Sequence, residues 1–296
     1  MKILIAGGTG FIGKALSFFL VGKKYEVNVL TRRRIRDTGD VHYYQWDVEK
    51  GFIDPHAFDG VNAIINMTGA NIGEKRWTTV RKQEIISSRL KPLNLLLKYV
   101  EESGHRIDVL ISSSAVGYYG AVTTDRIFTE EDKNGTDFPA HVCKLWEDTA
   151  RKFDKVARRV VILRKGVVIG RSGGMYRKLQ PLAKHGINVA LGNGRQYIPW
   201  ICIGDLVRIY SYILDNKKMN GIFNAVTSEH ITMNDFSKKM LHSFGKRNIL
   251  PNVPSWVIRA RFGEMSEMLL RGSRVSNEKI KSMGFGFWYQ SIHQCL

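Results

Sequence analysis

The sequence predicts an α/β protein, a doubly wound parallel sheet followed by a smaller C-terminal lobe. Three observations lead there. Short apolar runs alternate with helix-length segments through residues 1–170. A turn rich in glycine, Gly7-Gly8-Thr9-Gly10-Phe11-Ile12-Gly13, separates the first apolar run from the first helical segment. After Gly170 the texture changes, with glycines at 173, 174, 186, 192 and 194.

Each element has its own signal. Lys2 to Ala6 is a buried strand, and Phe11 to Leu20 is apolar enough for a helix packed on a sheet. Glu26 to Leu30 is the next strand, a further one ends at Trp46, and Ala63 to Met67 follows before Gly69. Ile86, Leu90, Leu93, Leu97 and Val100 recur at spacings of four and three, the period of an amphipathic helix. Pro92 lies inside that helix and should kink or divide it. Val109 to Ser112 and Val160 to Leu163 complete the strand series. Beyond it, Asp205 to Leu214, Asn234 to Phe244 and Trp256 to Leu270 read as helical, and Gly221 to Ala225 as a short strand. The expected organisation is a nucleotide-binding domain over 1–170, to which 200–226 return, and a C-terminal substrate lobe from 171–199 and 227–296.

Composition narrows the function classes. With 44% hydrophobic and 24% charged residues among 296, the chain is an ordinary globular protein, neither disordered nor fibrous. No stretch approaches the roughly 18 apolar residues of a membrane span. The three cysteines, Cys143, Cys202 and Cys295, are distant and odd in number. That argues against structural zinc and against a disulfide framework, and for a reducing, cytoplasmic compartment. Histidines are scattered, so no metal site is expected. The net charge of +18 would suit nucleic acid, yet the basic residues are dispersed and no nucleic-acid motif accompanies them. Nucleic acid and membrane are therefore set aside as partners in favour of a small-molecule substrate; a homodimer remains open.

The glycine turn carries the chemistry. A strand that turns sharply, a backbone that must approach a pyrophosphate and a helix that must pack closely all demand glycine, here Gly7, Gly10 and Gly13. Thr9, Phe11 and Ile12 complete the contact, and the helix N-terminus offers free N–H groups to phosphate. This is a Rossmann-type dinucleotide site. The second strand ends in Thr31-Arg32-Arg33-Arg34, where an NAD enzyme usually carries Asp or Glu for the ribose 2′-hydroxyl. An acid would repel a 2′-phosphate and a guanidinium binds it, so Arg32 and Arg33 point to NADP(H). Asp47 either faces the adenine or simply makes a turn. Met67-Thr68-Gly69 ends a strand with small residues that let backbone lie against the cofactor.

The glycine turn, the stretch Ser112-Ser113-Ser114-Ala115-Val116-Gly117-Tyr118-Tyr119-Gly120 and a series of further motifs together resemble extended short-chain dehydrogenases/reductases. Those motifs include Arg76-Trp77, Ser88-Arg89, Trp146-Glu147, Arg164-Lys165-Gly166-Val167-Val168, Pro199-Trp200-Ile201 and Gly204-Asp205. The match is to the atypical subfamily called epimerase family protein, NAD-dependent epimerase/dehydratase-like, and spans nearly the whole chain. The resemblance implies that Met67, Thr68, Glu84 and Arg89 line the cofactor and that Val168 lies near the nicotinamide.

The same resemblance exposes a gap. Ordinary members exchange a proton through Tyr-x-x-x-Lys beside a serine. Ser114 fits the serine. Four residues before Lys144 stands Ala140, and the register set by Glu147 places Pro139 and Cys143 in the two slots. The dyad survives in neither register. Tyr118 or Tyr119 could substitute or merely pack, Lys144 could touch the ribose or face solvent, and His141 is a further candidate acid. Arg195, in the glycine-rich loop from Gly192 to Trp200, could pair a substrate carboxylate or phosphate. The expectation is an NADP(H)-dependent oxidoreductase or epimerase acting on a carbonyl or sugar-like molecule. The alternative is a non-catalytic NADP(H) sensor or scaffold.

Overall fold

The computed structural model describes residues 1–104, 106–247 and 250–296. Strand β1 (Lys2–Ala6) leads into α1 (Phe11–Gly22), β2 (Glu26–Thr31), β3 (Val41–Asp47) and a short β4 (Phe52–Ile53). The chain then crosses to the other side of β1 as β5 (Val61–Asn66). It continues through α2 (Thr79–Ser103), β6 (Val109–Ala115), β7 (Ile127–Phe128), α3 (Phe138–Arg151) and β8 (Val160–Lys165). Next come β9 (Val167–Gly170), α4 (Gly174–Lys184), β10 (Tyr197–Ile198), β11 (Trp200–Cys202), α5 (Ile203–Asp215) and β12 (Gly221–Ala225). The remainder holds β13 (Ile231–Thr232), α6 (Met233–His242), α7 (Ser255–Phe262), α8 (Ser266–Leu270), β14 (Arg274–Val275) and α9 (Glu278–Ser282).

One sheet of eight strands runs in the order β12-β8-β6-β5-β1-β2-β3-β4. Its pairs are parallel except β3 with β4. The strand order reverses between β1 and β5, and such a reversal opens a crevice at the carboxyl ends of the strands. Both faces of the sheet are covered, which is why its strands read as continuous apolar runs. Ile3, Ile5 and Ile111 pack with Leu16 and Leu20 of α1 and with Leu206, Ile209 and Ile213 of α5. Leu4, Ile64 and Leu110 pack on the opposite face with Leu93 and Leu96 of α2 and Trp146 of α3. A third core gathers around Tyr176, Trp200, Phe236 and Ile292.

Three expectations are corrected. Helix α2 is not divided at Pro92: one helix runs from a Thr78 cap to left-handed Gly104 at φ +66°. Burial of Leu93, Leu96 and Val100 against the sheet outweighs a proline cost of about 3 kcal/mol. The stretch from Trp256 to Leu270 is not one helix, because Gly263 at φ +58° breaks it between α7 and α8. Cys202 and Cys295 form a disulfide, although their spacing argued against one. Folding brings residues 93 positions apart to a Cα–Cα distance of 5.9 Å, which no local pattern announces. The bond ties the C-terminal tail to β11, and buried Asp205 at the start of α5 accepts from the N–H groups of Trp288 and Tyr289 at 3.0 and 2.9 Å. Among the described residues, no helix is long and apolar enough to cross a membrane.

Candidate functional site

The crevice is built by glycine. Gly7 turns the chain out of β1 at φ +89°, and a Cβ there would stand 3.0 Å from the carbonyl carbon of Met67. Gly13, in the first turns of α1, lies so close to the loop that a Cβ would sit 2.3 Å from the Gly7 oxygen. Gly10 caps α1 without a side-chain hydrogen bond, and the first turn carries no acid. The first N–H groups of α1 and the positive end of its dipole therefore face the crevice. Thr9 and Gly10 are exposed, and Phe11 and Ile12 half-buried. The Phe11 ring is seated against glycines of the β9–α4 turn: a Cβ at Gly173 would meet it at 2.4 Å and one at Gly170 at 2.9 Å. A turn that admits no side chain at Gly7 or Gly13, ending at an uncapped helix, fits a dinucleotide pyrophosphate.

On one side of the crevice lies the turn after β2. Thr31 is buried, and its hydroxyl accepts from the Arg33 N–H at 3.1 Å, which sets the course of the loop. Arg32 and Arg33 are exposed, and among the described residues neither has a carboxylate partner. Asp47 makes a turn: its Oδ1 accepts from the N–H groups of Glu49 at 3.0 Å and Lys50 at 3.2 Å.

On the other side, Met67, Thr68 and Gly69 follow β5. The Arg89 guanidinium braces this segment, with a Cβ at Gly69 lying 3.1 Å from its Cζ. Arg89 donates to the carbonyls of Ile85 at 2.8 Å and Ala70 at 3.1 Å and sits over the Trp146 ring at 5.0 Å. Burial lowers its pKa. Glu84 is half-exposed and accepts from Arg81 at 2.7 Å. Arg81 in turn donates to the Asn71 carbonyl at 2.6 Å. Val168, in β9 opposite Ile201 of β11, borders the same apolar face as Ile12 and Met67.

The candidate proton-transfer residues lie around β6, α3 and β8. Ser114 is fully buried, and its hydroxyl donates to Glu147 at 2.7 Å. Glu147 receives a bidentate bond from Arg164, Nε to Oε1 and Nη2 to Oε2, both at 2.9 Å. Arg164 also donates to Tyr119 at 3.1 Å, and Tyr119 donates to Asn224 at 2.7 Å. Burial opposes the charge on Arg164, but the Glu147 carboxylate more than offsets this and raises its pKa. Ser114 thus belongs to a buried ion-pair network. Tyr118 has its ring beneath the same guanidinium, 3.4 Å from Cζ to centroid, so it packs. Lys144 is half-exposed and pairs with Asp148 at 2.8 Å, one turn along the outer face of α3. The inner face presents Pro139 and Cys143, both buried, and burial pushes the Cys143 thiol up to about 12.

One group here was missed by sequence reasoning. Lys165 ends β8 beside Ala115 of β6. Its ammonium donates to Ser113 at 2.9 Å, and Ser113 contacts the Tyr210 hydroxyl at 3.0 Å. Period-two alternation from Val161 and Leu163 would have placed it on the face of α1 and α5. A separate cleft of about 410 Å³ lies between Thr123 and the C-terminal lobe, bordered by Asn193, Arg259 and Arg271. Glu267 stands 3.6 Å from Arg259 and 2.8 Å from Arg271. Arg195 is exposed and does not line this cleft.

Comparison with known proteins follows the geometry. Residues 3–225 match the model of the NAD dependent epimerase/dehydratase family, and residues 253–296 match a domain of unknown function, DUF1731. An epimerase family protein of Mycobacterium bovis is 36% identical, covering 99% of this chain and 96% of its own length. The mouse epimerase family protein SDR39U1 is 31% identical, covering 100% of this chain and 98% of its own. The crystal structure of the human protein of that name with NADPH superposes with a TM-score of 0.89 at 28% identity, covering 100% of this chain and 97% of that one.

Proposed function

The chain belongs to the NAD dependent epimerase/dehydratase family, and on that premise we propose that it binds NADP(H) and acts on a carbonyl or sugar-like small molecule as an oxidoreductase or epimerase. One observation carries the reading. The uncapped α1 N-terminus closes a cradle formed at Gly7 and Gly13, and two exposed arginines, without carboxylate partners among the described residues, follow β2 at its edge. The NADPH named in the human relative's structure agrees with it. When bound, such a cofactor supplies hydride chemistry. The chain's part is to hold it: α1 amides and the Gly7–Gly13 loop at the pyrophosphate, Arg32 and Arg33 at the 2′-phosphate, and the segment braced by Arg89 along its length. The second reading, a nucleotide-occupancy sensor, is favoured by the commitment of Ser114 to Glu147 and of Lys144 to Asp148.

Calorimetric titration of the cofactor-stripped chain with NADPH and NADH tests the proposal. NADPH should bind more tightly. Arg32→Ala/Arg33→Ala should weaken NADPH about ten- to a hundredfold, the worth of a charge-assisted hydrogen bond, and leave NADH nearly unchanged. Equal losses for both would remove the 2′-phosphate assignment, and failure to bind either would remove the reading. Turnover of any of a panel of carbonyl and nucleotide-sugar compounds would decide for enzyme over sensor.

A further inference from the structure

We infer that the Lys165 amine is the proton-exchanging group of the reaction site, filling the role for which α3 offers no Tyr-x-x-x-Lys pair. This rests on the dinucleotide reading above. The residue ends β8 at the carboxyl edge of the sheet, on the face where Ile12, Met67, Val168 and Ile203 present partly buried apolar side chains. A planar, largely apolar ring finds its surface there, with the amine and Ser113 as polar groups at its border. Lys165 is half-buried, unlike Val161, Ile162, Leu163 and Arg164 before it in β8.

The groups that face the amine are few. Ser113 of β6 accepts its hydrogen bond, and Tyr210 of α5 lies behind Ser113. Arg89 of α2 adds a like charge. Among the described residues no carboxylate pairs with it. Burial, with Arg89 second, lowers the amine from 10.5 to about 8, so both protonation states are populated near neutral pH. Its neighbours lack that property. Burial raises the Cys143 thiol and the Tyr119 phenol to about 12, and raises Tyr210 as well.

The step balances simply. A carbonyl oxygen that becomes a hydroxyl takes its proton from the ammonium: an N–H bond breaks, an O–H bond forms, and a neutral amine remains. The electron pair is the hydride of a reduced nicotinamide dinucleotide. The amine recovers its proton from water once the product has left, and oxidation runs the same transfer backwards.

The test reads the lysine itself. The intact chain is trace-acetylated with acetic anhydride from about pH 6 to about pH 11 and each lysine is quantified by peptide mass spectrometry. Lys165 should titrate at about 8, well below Lys144, whose amine is raised by its hydrogen bond to Asp148, and saturating NADPH should cut Lys165 labelling about tenfold or more while leaving Lys144 unchanged. A Lys165 midpoint near that of Lys144, or labelling indifferent to bound NADPH, overturns the inference and leaves the cofactor reading standing. If calorimetry shows that NADPH does not bind, the cofactor reading fails first and the inference falls with it. As a second measurement, NADPH titrations in buffers of different ionisation enthalpy should show a proton exchange near pH 8 that Lys165→Met abolishes while still binding NADPH. An exchange that persists in that variant also counts against Lys165.

Discussion

Glu147→Gln is the most discriminating perturbation of the buried network. Glu147 and Arg164 have side chains only 3% and 1% exposed, and two 2.9 Å bonds join them. The amide keeps the shape but removes the charge and turns one acceptor into a donor facing another donor. A buried guanidinium is then left uncompensated, which costs about 3–5 kcal/mol. The 2.7 Å bond from Ser114 is weakened too, so the loss should lie in the upper part of that range. A control is built into the same helix: the Lys144–Asp148 pair is half-exposed, and such pairs contribute about 0.3–0.5 kcal/mol. Equilibrium urea unfolding of wild type, Glu147→Gln and Asp148→Asn measures both, with a constant slope as the check that only stability changed. Glu147→Leu/Arg164→Met, which removes both charges, should lose less than the single variant. The reasoning is refuted if Glu147→Gln costs under about 1 kcal/mol, or no more than Asp148→Asn.

Further outcomes follow from the same geometry. Gly13→Ala places a methyl 2.3 Å from the Gly7 oxygen, so the loop must move; calorimetry should show NADPH binding lost, with about 1–3 kcal/mol of stability. Reducing the Cys202–Cys295 bond, or Cys295→Ser, opens a loop spanning 93 residues and should cost about 2–5 kcal/mol, read as a lower Tm in calorimetric scans. Lys165 also predicts a pH dependence. Its folded pKa of about 8 lies below the ordinary 10.5, so the unfolded chain binds more protons between these values and stability rises with pH across that window. Lys165→Met should therefore melt above wild type at about pH 7, with the gap closing by about pH 10. Equal melting at the lower pH would contradict the lowered pKa.

The large sheet was legible because burial on both faces writes it as apolar runs, and the glycine turn because close approaches at Gly7 and Gly13 demand a missing side chain, whereas Gly10, at φ −78° and with room for a Cβ 3.4 Å from the Gly7 oxygen, does not. The small ladders were not. β9 with β11, β10 with β13 and β7 with β14 are two to four residues long, and tertiary pairing rather than pattern creates them. The fate of Ser114 was hidden for a related reason: its partner Glu147 lies 33 residues away, and the two meet only when α3 packs beside β6. Lys165 stood out in the sequence only as part of the motif Arg164-Lys165-Gly166-Val167-Val168. Its meaning came from the strand register, which turns Arg164 towards α3 and Lys165 towards α5.

The seat of Phe11 has a consequence for how the two parts of the chain are joined. Its ring is a wedge driven into a turn where nothing larger than hydrogen fits, and its backbone is the first link of the helix that meets the phosphates. The start of that helix is therefore packed on the β9–α4 turn, while the tail is stapled to β11, the partner strand of β9, through Cys295. An isolated N-terminal half, cut near residue 170, would leave the wedge without its slot.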